Sequence, residues 1–81
     1  MDKIGTITHF FDKIGVAVIK LDKELKLGEK IKIEGKEEPF EQEVTSMQVD
    51  HKDIEKAEAG SEVGLKLKMP VRVGAAVYKV E

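Results

Sequence analysis

In the segment Ala57-Glu58-Ala59-Gly60-Ser61-Glu62-Val63-Gly64-Leu65, a predicted turn passes directly into a predicted strand, and the rest of the chain is organised around this segment. Gly60 lies where a predicted helical turn over 53–57 must reverse, and glycine adopts a left-handed backbone at the least cost. From residue 63, apolar side chains alternate with lysines and glycine, the period-two pattern of a half-buried strand. The predicted inward positions are Val63, Leu65, Leu67 and Met69. Gly64, inside this strand, predicts a bulge, a tight bend or the close approach of another backbone.

On both sides of this stretch, five further segments have the composition of strands and end at turn residues. They cover residues 3–11, 15–21, 30–34, 40–50 and 75–80. The glycines predicted as structural turns are Gly15, Gly28, Gly60, Gly64 and Gly74. Within 40–50 the apolar phase slips after Val44, which predicts a β-bulge near Thr45-Ser46. Asp53 is the predicted N-cap of the helical turn.

Six short strands and one helical turn predict an all-β fold. A closed barrel is the expected arrangement, because closure removes exposed strand edges best in so small a chain. The length of 81 residues predicts one domain over residues 1–81, too small for a deep catalytic cleft between lobes. A binding module is therefore favoured over an enzyme.

The composition excludes several classes of protein. Cysteine is absent, which excludes disulfides and thiolate zinc sites. No apolar run approaches the roughly 20 residues that cross a bilayer, and the start of the sequence lacks the apolar region of a signal peptide. We therefore expect a cytoplasmic protein without membrane contact. The enrichment in lysine and glutamate predicts a thermophilic source.

Charge is distributed unevenly along the chain, although the formal net charge is only -2. Residues 37–62 carry nine acidic and two basic side chains, whereas residues 64–81 carry four basic side chains and one acidic one. A polyanion would therefore approach one face and avoid the other. The acidic run of Glu37, Glu38, Glu41 and Glu43 is interpreted as a solvated face, with a docking surface for a basic protein as the alternative.

Aromatic and basic residues form the constellation that predicts a binding site. Phe10 and Phe11 are adjacent, so in an extended strand they point to opposite faces and cannot both join the core. The exposed ring either covers the end of the barrel or forms a stacking platform for a base or a partner side chain. Single-stranded RNA binding combines such aromatics with cations that meet phosphates. The predicted RNA- or partner-binding residues are His9, Phe10, Phe11, Lys13, Lys66, Lys68 and Arg72.

Two alternatives to RNA binding stay open. A barrel that binds only protein is favoured by the slightly acidic total and by the single arginine, Arg72. Catalysis is less favoured: His9 and His51 could form a metal site with Asp50 and Asp53, but their spacing is not that of a metal motif. Ser46 and Ser61 do not lie in the Gly-x-Ser-x-Gly elbow of hydrolases. We expect no metal, no cofactor, no small-molecule substrate and no enzymatic activity.

Several segments also resemble a known family. Four successive segments carry the first resemblance: Leu27-Gly28-Glu29-Lys30-Ile31, Val44-Thr45-Ser46-Met47, Ala57 to Leu65, and Val71-Arg72-Val73-Gly74. They resemble the second domain of translational GTPases such as elongation factor Tu. A closer resemblance is to the C-terminal barrel of U32-family peptidases. It is carried by Thr8-His9-Phe10-Phe11, Lys13-Ile14-Gly15-Val16-Ala17, Met47-Gln48-Val49-Asp50-His51-Lys52 and Val77-Tyr78-Lys79-Val80.

The resemblance implies a six-stranded closed Greek-key barrel of the translation-factor domain 2 type, here with one short helical turn. It also implies an accessory role in RNA handling or translation, with tRNA, rRNA or an RNA-handling protein as partner. The alternative is an adaptor that docks on a separate U32-like or translation-factor enzyme. The Gly-x-x-x-x-Gly-Lys-[Ser/Thr] motif of GTPases is absent from this sequence, so nucleotide hydrolysis is not expected of it.

Overall fold

The computed structural model describes residues 2–34, 39–50 and 52–80, and these residues form ten β-strands and no helix. The strands are β1 (Asp2–Phe11), β2 (Val16–Leu21), β3 (Leu25–Lys26), β4 (Lys30–Glu34), β5 (Phe40–Glu43), β6 (Met47–Val49), β7 (Lys52–Ile54), β8 (Lys56–Ala57), β9 (Glu62–Lys66) and β10 (Ala76–Val80). The all-β prediction is confirmed. None of the described segments is a helix long and apolar enough to cross a bilayer.

Eight strands form one antiparallel sheet in the order β5-β4-β10-β1-β2-β9-β6-β7, and β3 pairs with β8 separately. The large sheet curls into a half-barrel, so the predicted closed six-stranded barrel is wrong in both strand number and closure. One reason is that the segment predicted as a single strand over 40–50 is broken at Val44. The Val44 N–H donates to the Glu29 carbonyl (2.8 Å) and its own carbonyl accepts from the Gly28 N–H (2.9 Å), so Val44 bonds to the chain that precedes β4, and residues 44–46 are not in a strand.

The side chain of Gln42 spans the open side of the half-barrel. Gln42 on β5 donates through Nε2 to the Lys66 carbonyl and accepts through Oε1 from the Lys68 N–H, both at 2.9 Å. The side-chain amide therefore supplies one donor and one acceptor, as a neighbouring strand would. The gap between the edge strand β5 and the end of β9 is held by these two bonds instead of a backbone ladder.

The core lies on the concave face of the curled sheet, where alternate residues of each strand point inward. Sixteen hydrophobic residues are buried, and no polar or charged side chain in the described ranges is buried. The predicted inward alternation holds for Val63, Leu65 and Leu67, but Met69 is 43% exposed. The alternation ends there because β9 stops at Lys66 and the chain turns at Lys68-Met69.

The predicted helical turn over 53–57 is also wrong. Residues 52–57 form the short strands β7 and β8, and β8 pairs with β3 through Leu25↔Ala57. Asp53 does not cap a helix: its carboxylate accepts a hydrogen bond from Gln48 Nε2 at 3.0 Å across the β6–β7 hairpin. Ala57 joins the core, and this burial together with the ladder outweighs the weak helical preference of so short a segment.

The irregularities in the sheet lie in β1. The register against β2 shifts between Ile7 and His9, and the register against β10 shifts between Lys3 and Gly5. The β-bulge predicted near Thr45-Ser46 is not found, because residues 44–46 are not in a strand. The shift at Thr8 reverses which face the following residues point to, and this decides the geometry of the candidate site.

Candidate functional site

The end of β1 presents a pair of aromatic rings to the outer face of the sheet. His9 and Phe11 are two residues apart after the register shift, and their rings lie 6.4 Å apart between centroids at an interplanar angle of 23°. Phe11 is 51% exposed. Phe10 points the opposite way, is half-buried and packs against the core. The expectation that adjacent phenylalanines cannot both be core residues is therefore met, with Phe11 outside.

Strand pairing extends this aromatic pair into a surface across three strands. Phe11 is paired with Val16, which is paired with Lys66 on β9. One step along, His9 is paired with Val18, which is paired with Gly64. We call this surface the outer platform. Its members are His9, Phe11, Val16, Val18, Gly64 and Lys66.

The floor of the outer platform is low and partly apolar. Val16, Val18 and Gly64 are half-buried, whereas Lys66 is exposed at the rim. Residues 15–21 are almost continuously apolar, a pattern typical of a strand that is covered on both faces or that closes a barrel. The structure places its odd-numbered residues Ala17, Ile19 and Leu21 in the core, and the two valines line the outer platform. That apolar run was the available signal for these two residues.

The seven predicted binding residues are not all brought together. His9, Phe11 and Lys66 share the outer platform. Phe10 and Lys68 instead line a depression of about 330 Å³ below the β1–β2 turn, with Asp12, Gly15, Leu67, Met69 and Pro70. Lys13 is exposed in that turn.

Arg72 lies apart from the outer platform, in the loop that leads into β10. The Ala75 N–H in this loop donates to the Arg72 carbonyl, and the Gly74 N–H donates to the Ile7 carbonyl. Since β10 pairs with β1 on the side opposite to β2, Arg72 is carried away from Lys66. Arg72 is close to Lys66 and Lys68 in the sequence, and this closeness gives no indication that the fold separates Arg72 from Lys66.

The predicted turn glycines fall into two groups. Gly15, Gly28, Gly60 and Gly74 have φ values of 68°, 87°, 89° and 94°, in the left-handed region. Gly64 lies inside the regular ladder of β9, between Val18 of β2 and Gln48 of β6, and is not at a turn. Gly5, which the sequence did not single out, is the tightest glycine of the sheet. A Cβ added there would lie 2.7 Å from the Lys20 carbonyl oxygen.

The alternative chemistries find little support in the geometry. His51 lies outside the described residues, and the remainder of the structure contains no group of three or more His, Asp or Glu side chains that could hold a metal. Away from the outer platform, Glu24 is held between Lys56 (3.1 Å) and Lys26 (3.6 Å). The hydrogen bond from Lys56 lowers the pKa of Glu24 most, and the charges of Lys56 and Lys26 lower it further.

Comparison with known proteins identifies a relative that is much longer than this chain. No family model matches the chain. An uncharacterized protease of Methanocaldococcus jannaschii is 46% identical over 77 residues, which cover 94% of this chain. The chain spans only 19% of the length of that relative, so the match concerns one part of a longer protein.

The fold is similar to solved structures of the C-terminal domain of a Geobacillus thermoleovorans protein described as a U32 peptidase. One structure has a TM-score of 0.93 and 17% identity, and the match covers 99% of this chain and 93% of that one. Its selenomethionine variant has a TM-score of 0.93 and 18% identity, with coverages of 98% and 100%. At this identity the likeness concerns the fold. The likeness to translation-factor domains stays a prediction.

Proposed function

We propose that this chain is a non-catalytic accessory domain of the U32 type and that it binds single-stranded RNA on the outer platform. The accessory role is supported by the similarity to a domain of a U32 peptidase and by the confinement of the protease match to 19% of that protein's length. The RNA role is carried by one observation. An exposed, stacked aromatic pair lies on the same open sheet face as a lysine.

The chemistry of the outer platform suits nucleotides. Each base presents a flat π-face, and stacking on an aromatic side chain contributes about 1–3 kcal/mol per base. Phe11 is partly exposed and is already held against His9, so little side-chain freedom remains to be lost on binding. Lys66 lies at the rim, where a phosphate of the same strand would meet it. Single-stranded ends or loops of tRNA and rRNA offer such unstacked bases.

A second candidate is an adaptor that docks on another protein. The observation that favours it is the exposure of large apolar side chains at the β1–β2 turn and nearby, with Phe11 at 51%, Ile14 at 62% and Met69 at 43%. Exposed apolar groups of this kind recur at protein interfaces. The two candidates differ in the role they give to Ile14, which the adaptor uses and the RNA site does not.

The test compares two exposed apolar residues that lie three positions apart. Binding of a fluorescent single-stranded RNA decamer to the 81-residue chain would be measured by anisotropy at several salt concentrations. Phe11→Ala should weaken binding about 5- to 150-fold, the equivalent of one stacked base. The matched control Ile14→Ala should leave the affinity unchanged, since Ile14 is in the turn and outside the outer platform.

The salt dependence separates the contributions further. Lys66→Gln should reduce the slope of log K against log salt by about 0.7, the value for one phosphate contact on a single strand. Equal affinities of all three variants and the unmodified chain would contradict the RNA proposal. Capture of a protein partner that is lost with Ile14→Ala, together with no RNA binding, would favour the adaptor.

A further inference from the structure

Gly64 is a glycine that the backbone does not require. It lies inside β9, hydrogen-bonded in register with Val18 on one side and Gln48 on the other, and its φ is not in the left-handed region. A Cβ added at Gly64 would lie 3.4 Å from Val16 Cγ1 and 3.8 Å from the Gln48 carbonyl oxygen, which are ordinary contacts. Alanine would therefore fit, and glycine weakens a strand interior relative to alanine.

The missing side chain has one clear geometric consequence. Gly64 sits on the outer face, where a side chain would stand between Val18 and Gln48. Without it, the outer platform has a dip whose wall is Val16 and whose rim carries Lys66 two residues along β9. The dip is open to solvent on the convex side of the sheet, and a flat apolar ring can lie on it.

We infer that Gly64 keeps open a subsite for a second nucleobase of the same RNA strand, an inference that rests on the proposed function. β1 and β9 are separated by two strand spacings, about 10 Å. Successive bases that stack on each other are about 3.4 Å apart along a strand. A base on the His9–Phe11 pair and a base over Gly64 are therefore not stacked on each other, and the strand between them must be splayed across the sheet.

The charges around the dip favour an anionic occupant such as this strand over an apolar or basic peptide. Lys66 flanks Gly64 along β9, and Lys20 lies on the outer face in the next row, opposite Glu62. A phosphate on either side of the second base would therefore lie near a lysine. Glu62 carries the opposite charge beside Lys20. Double-stranded RNA, whose bases are not splayed, does not fit the two subsites.

The experiment fills the dip without disturbing the aromatic pair. Gly64→Ala and Gly64→Val would be compared with Ala59→Val, which adds volume at an exposed turn residue outside the outer platform. Affinity for the single-stranded decamer should fall about 3-fold or more for Gly64→Ala and at least about 10-fold for Gly64→Val, and should not change for Ala59→Val. The thermal midpoint of Gly64→Ala should equal or exceed that of the unmodified chain.

Two further readouts separate a blocked subsite from a damaged fold. Filling the dip removes no cation, so the salt slope of Gly64→Ala should match that of the unmodified chain, unlike that of Lys66→Gln. Addition of RNA should also shift the Gly64 amide resonance in the unmodified chain.

Three outcomes would overturn the inference. Unchanged affinity of both Gly64 variants, with weaker binding by Phe11→Ala, would remove the second subsite and leave the proposed function standing. A lower thermal midpoint of Gly64→Ala would show that the fold itself requires the glycine. Failure of the unmodified chain to bind RNA would remove both proposals.

Discussion

The Gln42 contact allows the closure of the half-barrel to be tested directly. Replacing Gln42 with methionine keeps the length of the side chain and removes both hydrogen bonds, which join β5 to the Lys66 carbonyl and the Lys68 N–H at 2.9 Å each. A hydrogen bond contributes about 0.5–1.5 kcal/mol net, so two would contribute about 1–3 kcal/mol. Both bonds are exposed to solvent, which favours the lower half of this range. We expect Gln42→Met to lower the free energy of unfolding by ~1–2 kcal/mol.

The assay is guanidinium unfolding of the 81-residue chain followed by far-ultraviolet circular dichroism. The control is Gln48→Met, which removes one exposed side-chain bond to Asp53 within the β6–β7 hairpin and leaves the closure intact. Its expected cost is about 0.5 kcal/mol. Amide exchange provides a local readout, because the Lys68 N–H bonds to Gln42 and should exchange faster only in Gln42→Met.

Equal destabilisation of the two variants, combined with unchanged exchange at Lys68, would mean that the Gln42 bonds do not close the half-barrel. The core alone would then hold the ends of the curled sheet together. A change in denaturant slope for Gln42→Met would instead indicate that the edge strand β5 separates from the rest of the sheet before global unfolding.

Three further predictions concern the packing and the charges. Gly5→Ala places a Cβ 2.7 Å from the Lys20 carbonyl oxygen and should cost ~1–3 kcal/mol in chemical denaturation; a cost below about 0.5 kcal/mol would show that β1 and β2 move apart easily. Leu67→Ala should cost ~2–5 kcal/mol, whereas Met69→Ala should cost under about 1 kcal/mol because Met69 is 43% exposed and Leu67 only 6%. Equal costs of the two substitutions would mean that Met69 packs in the core as Leu67 does. Lys56→Gln should raise the pKa of Glu24 measured by carbon-13 NMR, because the hydrogen bond from Lys56 is the main cause of its lowering; an unchanged pKa would assign the effect to Lys26.

The fourth strand shows how far local pattern alone can predict this fold. The strand predicted over 30–34 is β4 with its observed bounds, and its alternating Ile31 and Ile33 are buried, because a short strand with one buried face needs only period-two patterning. The prediction of one strand over 40–50 is wrong. Val44, where the strand breaks, bonds to the backbone groups of Glu29 and Gly28, which lie far from it in the sequence. The number of strands and the closure follow from such long-range bonds, which a local pattern does not contain.

In the candidate site, too, some features follow from local pattern and others from long-range strand pairing. The local pattern of residues is enough to predict an all-β chain with an apolar inner face, and to predict that Phe10 and Phe11 point to opposite sides, because neighbouring residues of a strand always do. The placement of Phe11 as the outer ring depends on how the strands pair. The register shift at Thr8 reverses the phase of β1 against β2. The pairing of β1 with β2 and of β2 with β9 sets His9 and Gly64 in one row with Val18 between them, although 55 positions of sequence separate His9 from Gly64.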